Sequence, residues 1–154
     1  MPVRKLKDYL NEQGVKYVSI SHSPAYTAQE VAASAHVPGR EMAKTVMVLV
    51  DGKPSMAVLP AGHRVDFELL RQSVGARSVE LAGEQDFRDL FPNCELGAMP
   101  PFGNIYGVDV YVSLDLAEQR DIAFNACSHS ELMRLPFRDY ARLVRPKVVR
   151  LSSD

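Results

Sequence analysis

The stretch Ala43-Lys44-Thr45-Val46-Met47-Val48-Leu49-Val50-Asp51-Gly52 reads as a strand running into a hairpin turn, and residues 55–59 return as its partner. Strand parity divides its side chains. Lys44 shares a face with Val46, Val48 and Val50, while Thr45 faces with Met47 and Leu49. A lysine at the end of an apolar row either reaches out to water or guards the mouth of a pocket.

Upstream of this hairpin, residues 2–11 read as a helix, with Val3, Leu6 and Leu10 at helical spacing and Gly14 as its stop. Residues 15–20 alternate as a short strand. Thr27 and Glu30 fit a capping box that opens a helix through Val31, Ala32 and Ala35, closed before Pro38 and Gly39. Downstream, Asp66 caps a helix carrying Phe67, Leu70 and Val74, which Gly75 ends. Residues 78–81 form a short strand. Residues 84–91 are helical by Phe87, Leu90 and Phe91, and Pro92 stops them. Strands are expected at 108–112 and 121–126, with a helical turn at 114–118. Residues 131–135 fit a strand or a helix, the strand favoured because Pro136 cuts a helix there. A last helix covers 137–144, with Pro136 at its first position, and the basic end of the chain is either a solvated face with a frayed tail or a phosphate contact. Helices and short strands intermix without a Gly-rich phosphate fingerprint after the first strand. The expected fold is therefore α+β, with a mixed, curved (barrel-like) sheet surrounded by helices.

With 154 residues and no linker, one domain over residues 1–154 is expected, large enough for its own core. The composition, 46% hydrophobic and 24% charged, is that of a soluble globular protein. No apolar run reaches the length of a membrane span, and the N-terminus lacks the apolar core of a signal peptide. A cytoplasmic monomer is the expectation. The net charge of −1 argues against bulk, non-specific nucleic-acid binding. Two cysteines, Cys94 and Cys127, indicate no disulfide framework.

Gly97-Ala98-Met99-Pro100-Pro101-Phe102-Gly103 is the chain's most unusual loop. Gly and Pro exclude it from a helix interior or a central strand, yet Met99 and Phe102 are apolar. Glycines permit positive φ, prolines remove donors, and the remaining N–H groups can converge on an anion or oxyanion. The alternative is an ordinary buried turn.

Other chemistries find weaker support. Cys127 and His129 could form a nucleophile pair, but such pairs arise by chance and their local signatures do not transfer between families. His22, His36, His63 and His129 show no paired metal-ligand spacing, and no HExxH, Walker or GxSxG motif occurs. Arg138, Arg142 and Arg145 lie at i, i+4 and i+7, so one helix face could carry all three, either to phosphate or simply to solvent.

The strand Ala43-Lys44-Thr45-Val46, the Gly97–Gly103 loop and Phe124-Asn125-Ala126-Cys127-Ser128-His129 occur in that order. The ordered set resembles the YbaK/prolyl-tRNA-synthetase-associated editing domain family, the trans-acting aminoacyl-tRNA deacylases, over residues 26–143. The loop matches that family's GxxxP element, and Lys44 sits where the family keeps its essential lysine. The resemblance implies hydrolysis of the ester of a tRNA mischarged with a small amino acid, namely Ala, Ser or Thr, including alanyl-tRNA for proline. It implies no cofactor, no metal and no protein nucleophile; water attacks, assisted by a ribose hydroxyl of the tRNA. Lys44 would be catalytic. Thr45, Gly97, Ala98, Met99, Pro100, Pro101, Phe102, Gly103 and His129 would bind substrate, and Arg138, Arg142 and Arg145 would meet tRNA phosphate. Whether an aminoacyl-tRNA synthetase also partners the chain is left open. Cys127 departs from the family's usual Gly, which could narrow the pocket or alter the turn. The rival reading is a non-catalytic tRNA-binding module of the same fold, against which the retained Lys44 and loop count.

Overall fold

The computed structural model describes residues 4–21, 37–91, 94–95 and 97–153. The helix expected from Thr27 lies outside the described residues, as do His22 and His36. The hairpin forms as expected. β2 (Ala43–Val50) pairs antiparallel with β3 (Lys53–Pro60), from Ala43 opposite Pro60 to Val50 opposite Lys53. Asp51 and Gly52 both take positive φ, 50° and 81°, as a two-residue turn matching the strand twist requires.

This hairpin is the centre of a five-stranded mixed sheet. β5 (Val79–Leu81) pairs antiparallel with β2, β6 (Asp109–Ser113) runs parallel to β3, and β9 (Lys147–Val149) runs parallel to β6. A second, antiparallel sheet has β8 (Glu131–Pro136) between β1 (Val18–Ser21) and β7 (Asp121–Ser128). A parallel bridge between Met42 and Ala123 joins the two, with the Ala123 amide donating to the Glu41 carbonyl at 2.9 Å. The protein is thus a single-domain α+β structure with mixed sheets.

Alternation along the hairpin decides what each face buries. Ala43, Met47, Met56 and Val58 face the main core. There they meet Leu6 and Leu10 of α1 (Arg4–Glu12), Phe124 and Ala126 of β7, and Phe137 and Tyr140 of α5 (Phe137–Val144). Val48, Ala57 and Leu59 face the other way, covered by Leu70 of α2 (Phe67–Val74) and by Leu151. Burial on both faces is why β2 reads as a nearly unbroken apolar run. The α2 signals are local and hold: Asp66 Oδ1 accepts from the Leu69 amide at 3.0 Å, and Gly75 closes the helix at φ 69°.

Several boundaries differ. The first strand begins at Val18 rather than residue 15, because Val15 is buried as the chain leaves α1. The helix expected at 84–91 is α3 (Glu84–Phe87) followed by a 3-10 turn, Arg88–Leu90. The turn at 114 is α4 (Leu114–Ala117). Pro136 occupies the N-cap of α5 with extended backbone, not its first turn. The tail is not frayed: β9 joins the large sheet and β10 (Ser152–Ser153) pairs with β4 (Arg64–Val65). The Leu151 carbonyl accepts from the Asp66 amide at 2.8 Å, and its side chain is fully buried. Among the described residues, no helix is long and apolar enough to cross a membrane.

Candidate functional site

Residues 97–103 form a loop fastened from beneath. Gly97 has φ 83°, and Ala98 and Phe102 are fully buried. The Phe102 ring packs edge-on to Tyr140 at 5.3 Å and against Phe124 at 5.5 Å, so it anchors the loop in the core. The Tyr140 hydroxyl donates to the Pro101 carbonyl at 2.8 Å. Main-chain bonds then tie the loop to the end of β7: Cys127 donates to the Ala98 carbonyl, and Glu95 donates to the Cys127 carbonyl, both at 2.9 Å. Pro100 and Pro101 have no N–H. Among the described residues, the amides of Gly97, Met99 and Gly103 donate to no backbone carbonyl.

The β7–β8 corner brings His129 to this loop. A Cβ built on Gly97 would lie 3.7 Å from His129 Cε1, ordinary contact, so the main chain here runs directly beside the imidazole. The His129 amide donates to Glu95 Oε2 at 2.9 Å, and the same oxygen lies 3.9 Å from His129 Nε2. Register slips between Asn125 and Ser128, and Cys127 sits at φ 66°, a left-handed conformation that ordinarily favours Gly.

The cysteines correct the expectation from sequence. Cys94 and Cys127 form a disulfide, with Cα atoms 4.3 Å apart and a sequence separation of 33. Bonded sulfur cannot act as a thiolate, so the Cys127–His129 nucleophile reading is overturned. The disulfide instead ties the segment leading into the loop to the corner that carries His129.

Lys44 lies half-buried opposite Leu59, on the Val46 face as strand parity requires. Burial first, and the Arg64 guanidinium second, hold its ammonium below the ordinary lysine range. No carboxylate among the described residues pairs with it. Thr45 points to the opposite face, so the two neighbours do not share a surface. Arg138 and Arg142 stay at i and i+4 on α5, and Arg145 leaves it. Arg138 lines a cleft of about 420 Å³ with Arg120 and Phe137, and Arg145 lines one of about 260 Å³ with Asn104 and Lys147. Arg145 is the left-handed C-cap of α5 and has left the helix face, while Arg142 approaches Asp139 at 3.9 Å. Among the described residues, no group of three His, Cys, Asp or Glu is arranged to hold a metal ion. Sequence reading missed Glu95, Arg64 and Tyr140. Their roles come from contacts between distant segments, for which no local spacing exists.

The fold and this loop define a small α+β domain built around a glycine–proline stretch, with Lys44 on the face of β2 opposite the one that packs against Met99 and Phe102. The sequence model of the aminoacyl-tRNA editing domain matches residues 22–143, and the chain belongs to that family. It is 26% identical over 100 residues, 65% of its length, to a proline–tRNA ligase of Bacillus mycoides (strain KBAB4), of which the match covers 17%. The chain therefore corresponds to a small part of that curated relative. Its fold is that of the hypothetical protein APE2540, with a TM-score of 0.85, 20% identity and coverage of 97% and 99% of the two chains. It is also that of a protein described as a candidate trans-editing enzyme for prolyl tRNA synthetase, with a TM-score of 0.82, 20% identity and coverage of 99% and 98%.

Proposed function

We propose that the protein is a trans-acting aminoacyl-tRNA deacylase that hydrolyses the ester of a tRNA mischarged with Ala, Ser or Thr, alanyl-tRNA for proline included. The observation that supports this reading is that, among the described residues, the Gly97 and Met99 amides donate to no backbone carbonyl on a loop held by Tyr140, Phe102 and the β7 corner. Water attacks the ester carbonyl and the tRNA hydroxyl leaves, giving free amino acid and tRNA. In this reading the loop amides meet the negative charge that develops on the carbonyl oxygen, as preorganised donors do. Lys44 supplies positive charge to that oxygen or to the adjacent phosphate, and its partial burial strengthens the interaction. The steps invoke no metal, cofactor or protein nucleophile. Selection by pocket volume discriminates by only ~1–3 kcal/mol per methylene, so overlap among small amino acids is expected. Arg138 and Arg142 remain the candidates for tRNA phosphate, and the tRNA, with or without a synthetase, is the proposed partner of this domain over residues 1–154.

The test is deacylation of alanyl-, seryl-, threonyl- and prolyl-tRNA by the wild type and Lys44→Ala. Hydrolysis of one small mischarged species, lowered on the order of 10²–10³-fold by the substitution, is the expected result. Hydrolysis by folded Lys44→Ala at the wild-type rate overturns the mechanism. Retained, salt-sensitive tRNA binding without any hydrolysis would favour the binding module.

A further inference from the structure

Glu95 has no part in the chemistry above, yet it lies at the centre of the site. Its amide donates to the Cys127 carbonyl and its carbonyl accepts from Ala98, so both its main-chain groups are fixed by the loop and the β7 corner. One carboxylate oxygen, Oε2, accepts from the His129 amide at 2.9 Å and stands 3.9 Å from His129 Nε2. The His129 ring in turn contacts the position where a side chain would begin on Gly97. Glu95, His129 and Gly97 are therefore consecutive contacts along one wall. The carboxylate is half-exposed, at 56%, and its other oxygen, Oε1, has no partner among the described residues.

We propose that Glu95 receives the α-ammonium group of the aminoacyl ester, with Oε1 as the acceptor, and so restricts the substrate to esters with a free α-amino group. This rests on the deacylase reading above. An aminoacyl-tRNA end carries two kinds of charge. Its phosphate and developing oxyanion are negative, and its α-ammonium, two bonds from the reacting carbonyl carbon, is positive. A carbonyl oxygen held by the Gly97 and Met99 amides places the ammonium within a short distance of this wall, and the acidic group there is Glu95. The bond from Oε2 to the His129 amide holds the carboxylate in place before substrate arrives, so less side-chain freedom is lost on binding. An N-acylated ester has neither the positive charge nor the donors and leaves Oε1 unpaired in the complex.

The test compares whichever member of the panel the wild type hydrolyses with its N-acetyl derivative, using wild type and Glu95→Gln. Gln keeps an acceptor for the His129 amide but loses the charge. The wild type is expected to prefer the free amine at least tenfold in kcat/KM. Glu95→Gln is expected to lose about tenfold on the free amine, mostly through KM, and little on the N-acetyl ester, so the preference collapses. Equal losses on both substrates would overturn the proposal and leave Glu95 as a structural support of the His129 turn. Equal wild-type rates on both would overturn it without any variant. Wild type that hydrolyses no panel member fails the deacylase reading itself, and the inference with it.

Discussion

Tyr140→Phe removes one oxygen atom from the core and tests what holds the loop. Tyr140 is fully buried, and its hydroxyl donates to the Pro101 carbonyl at 2.8 Å. The ring contacts with Phe102 at 5.3 Å and Phe137 at 5.7 Å survive the substitution, so lost packing contributes little. What is lost is the partner of a carbonyl on a buried residue. A buried acceptor left unsatisfied costs about 1–3 kcal/mol. For a domain of this size each kcal/mol lowers Tm by roughly 2–4 °C, so a 2 kcal/mol loss lowers it by about 4–8 °C. Urea unfolding should show a lower midpoint with an unchanged slope, since the surface exposed on unfolding is the same. Deacylation should fall too, because Pro101 is two residues from Met99 and the loop's donors lose their support. Burial pushes the Tyr140 phenol well above its ordinary value. Its folded state therefore holds the proton while the unfolded chain loses it near pH ~10, and stability falls as pH rises past that point. Tyr140→Phe should remove part of that alkaline loss. A change below about 0.5 kcal/mol together with unaltered deacylation would refute this account of the loop.

Reducing the Cys94–Cys127 disulfide releases a constraint on a 33-residue separation, worth roughly 3–4 kcal/mol by loop-closure entropy. Unfolding with and without dithiothreitol should show this loss, and two thiols should titrate after reduction but none before; an unchanged midpoint refutes it. Arg64→Ala tests the charge beside Lys44. Burial is the larger cause of the lowered Lys44 pKa and survives the substitution, whereas the Arg64 repulsion does not. Activity that needs protonated Lys44 is lost as pH rises through its pKa, so the alkaline limb of kcat/KM, corrected for spontaneous ester hydrolysis, should move to higher pH in Arg64→Ala. An unmoved or lowered limb would separate Lys44 from that limb.

Much of the fold was legible because its signals are local. Asp66 and Gly75 bracket α2 by capping chemistry alone, and Asp51-Gly52 specifies a two-residue turn whatever surrounds it. Alternation along β2 put Lys44 and Thr45 on opposite faces before any partner strand was placed. The tail was misread because β9 and β10 are short and exposed on at least one side, so their apolar pattern is weak. They are strands only because β6 and β4 present free edges to them. At the candidate site the division is sharper. Composition excluded residues 97–103 from a helix interior or a central strand, since Gly and Pro restrict backbone geometry residue by residue, but left a shaped loop and an ordinary buried turn both open. Nothing local marks Glu95 as a neighbour of His129, or Tyr140 as the support of Pro101, because 34 and 39 residues separate those pairs. The same holds for the cysteines, whose spacing is compatible with free thiols as well as with a bond. By itself the sequence determined the central hairpin, the caps of α2, the stiffness of the loop and the face that carries Lys44, because backbone preference and side-chain periodicity act over a few residues. Only the tertiary structure decided which carboxylate stands beside which imidazole and which sulfur meets which, because those contacts form when packing of the shared core brings distant segments together.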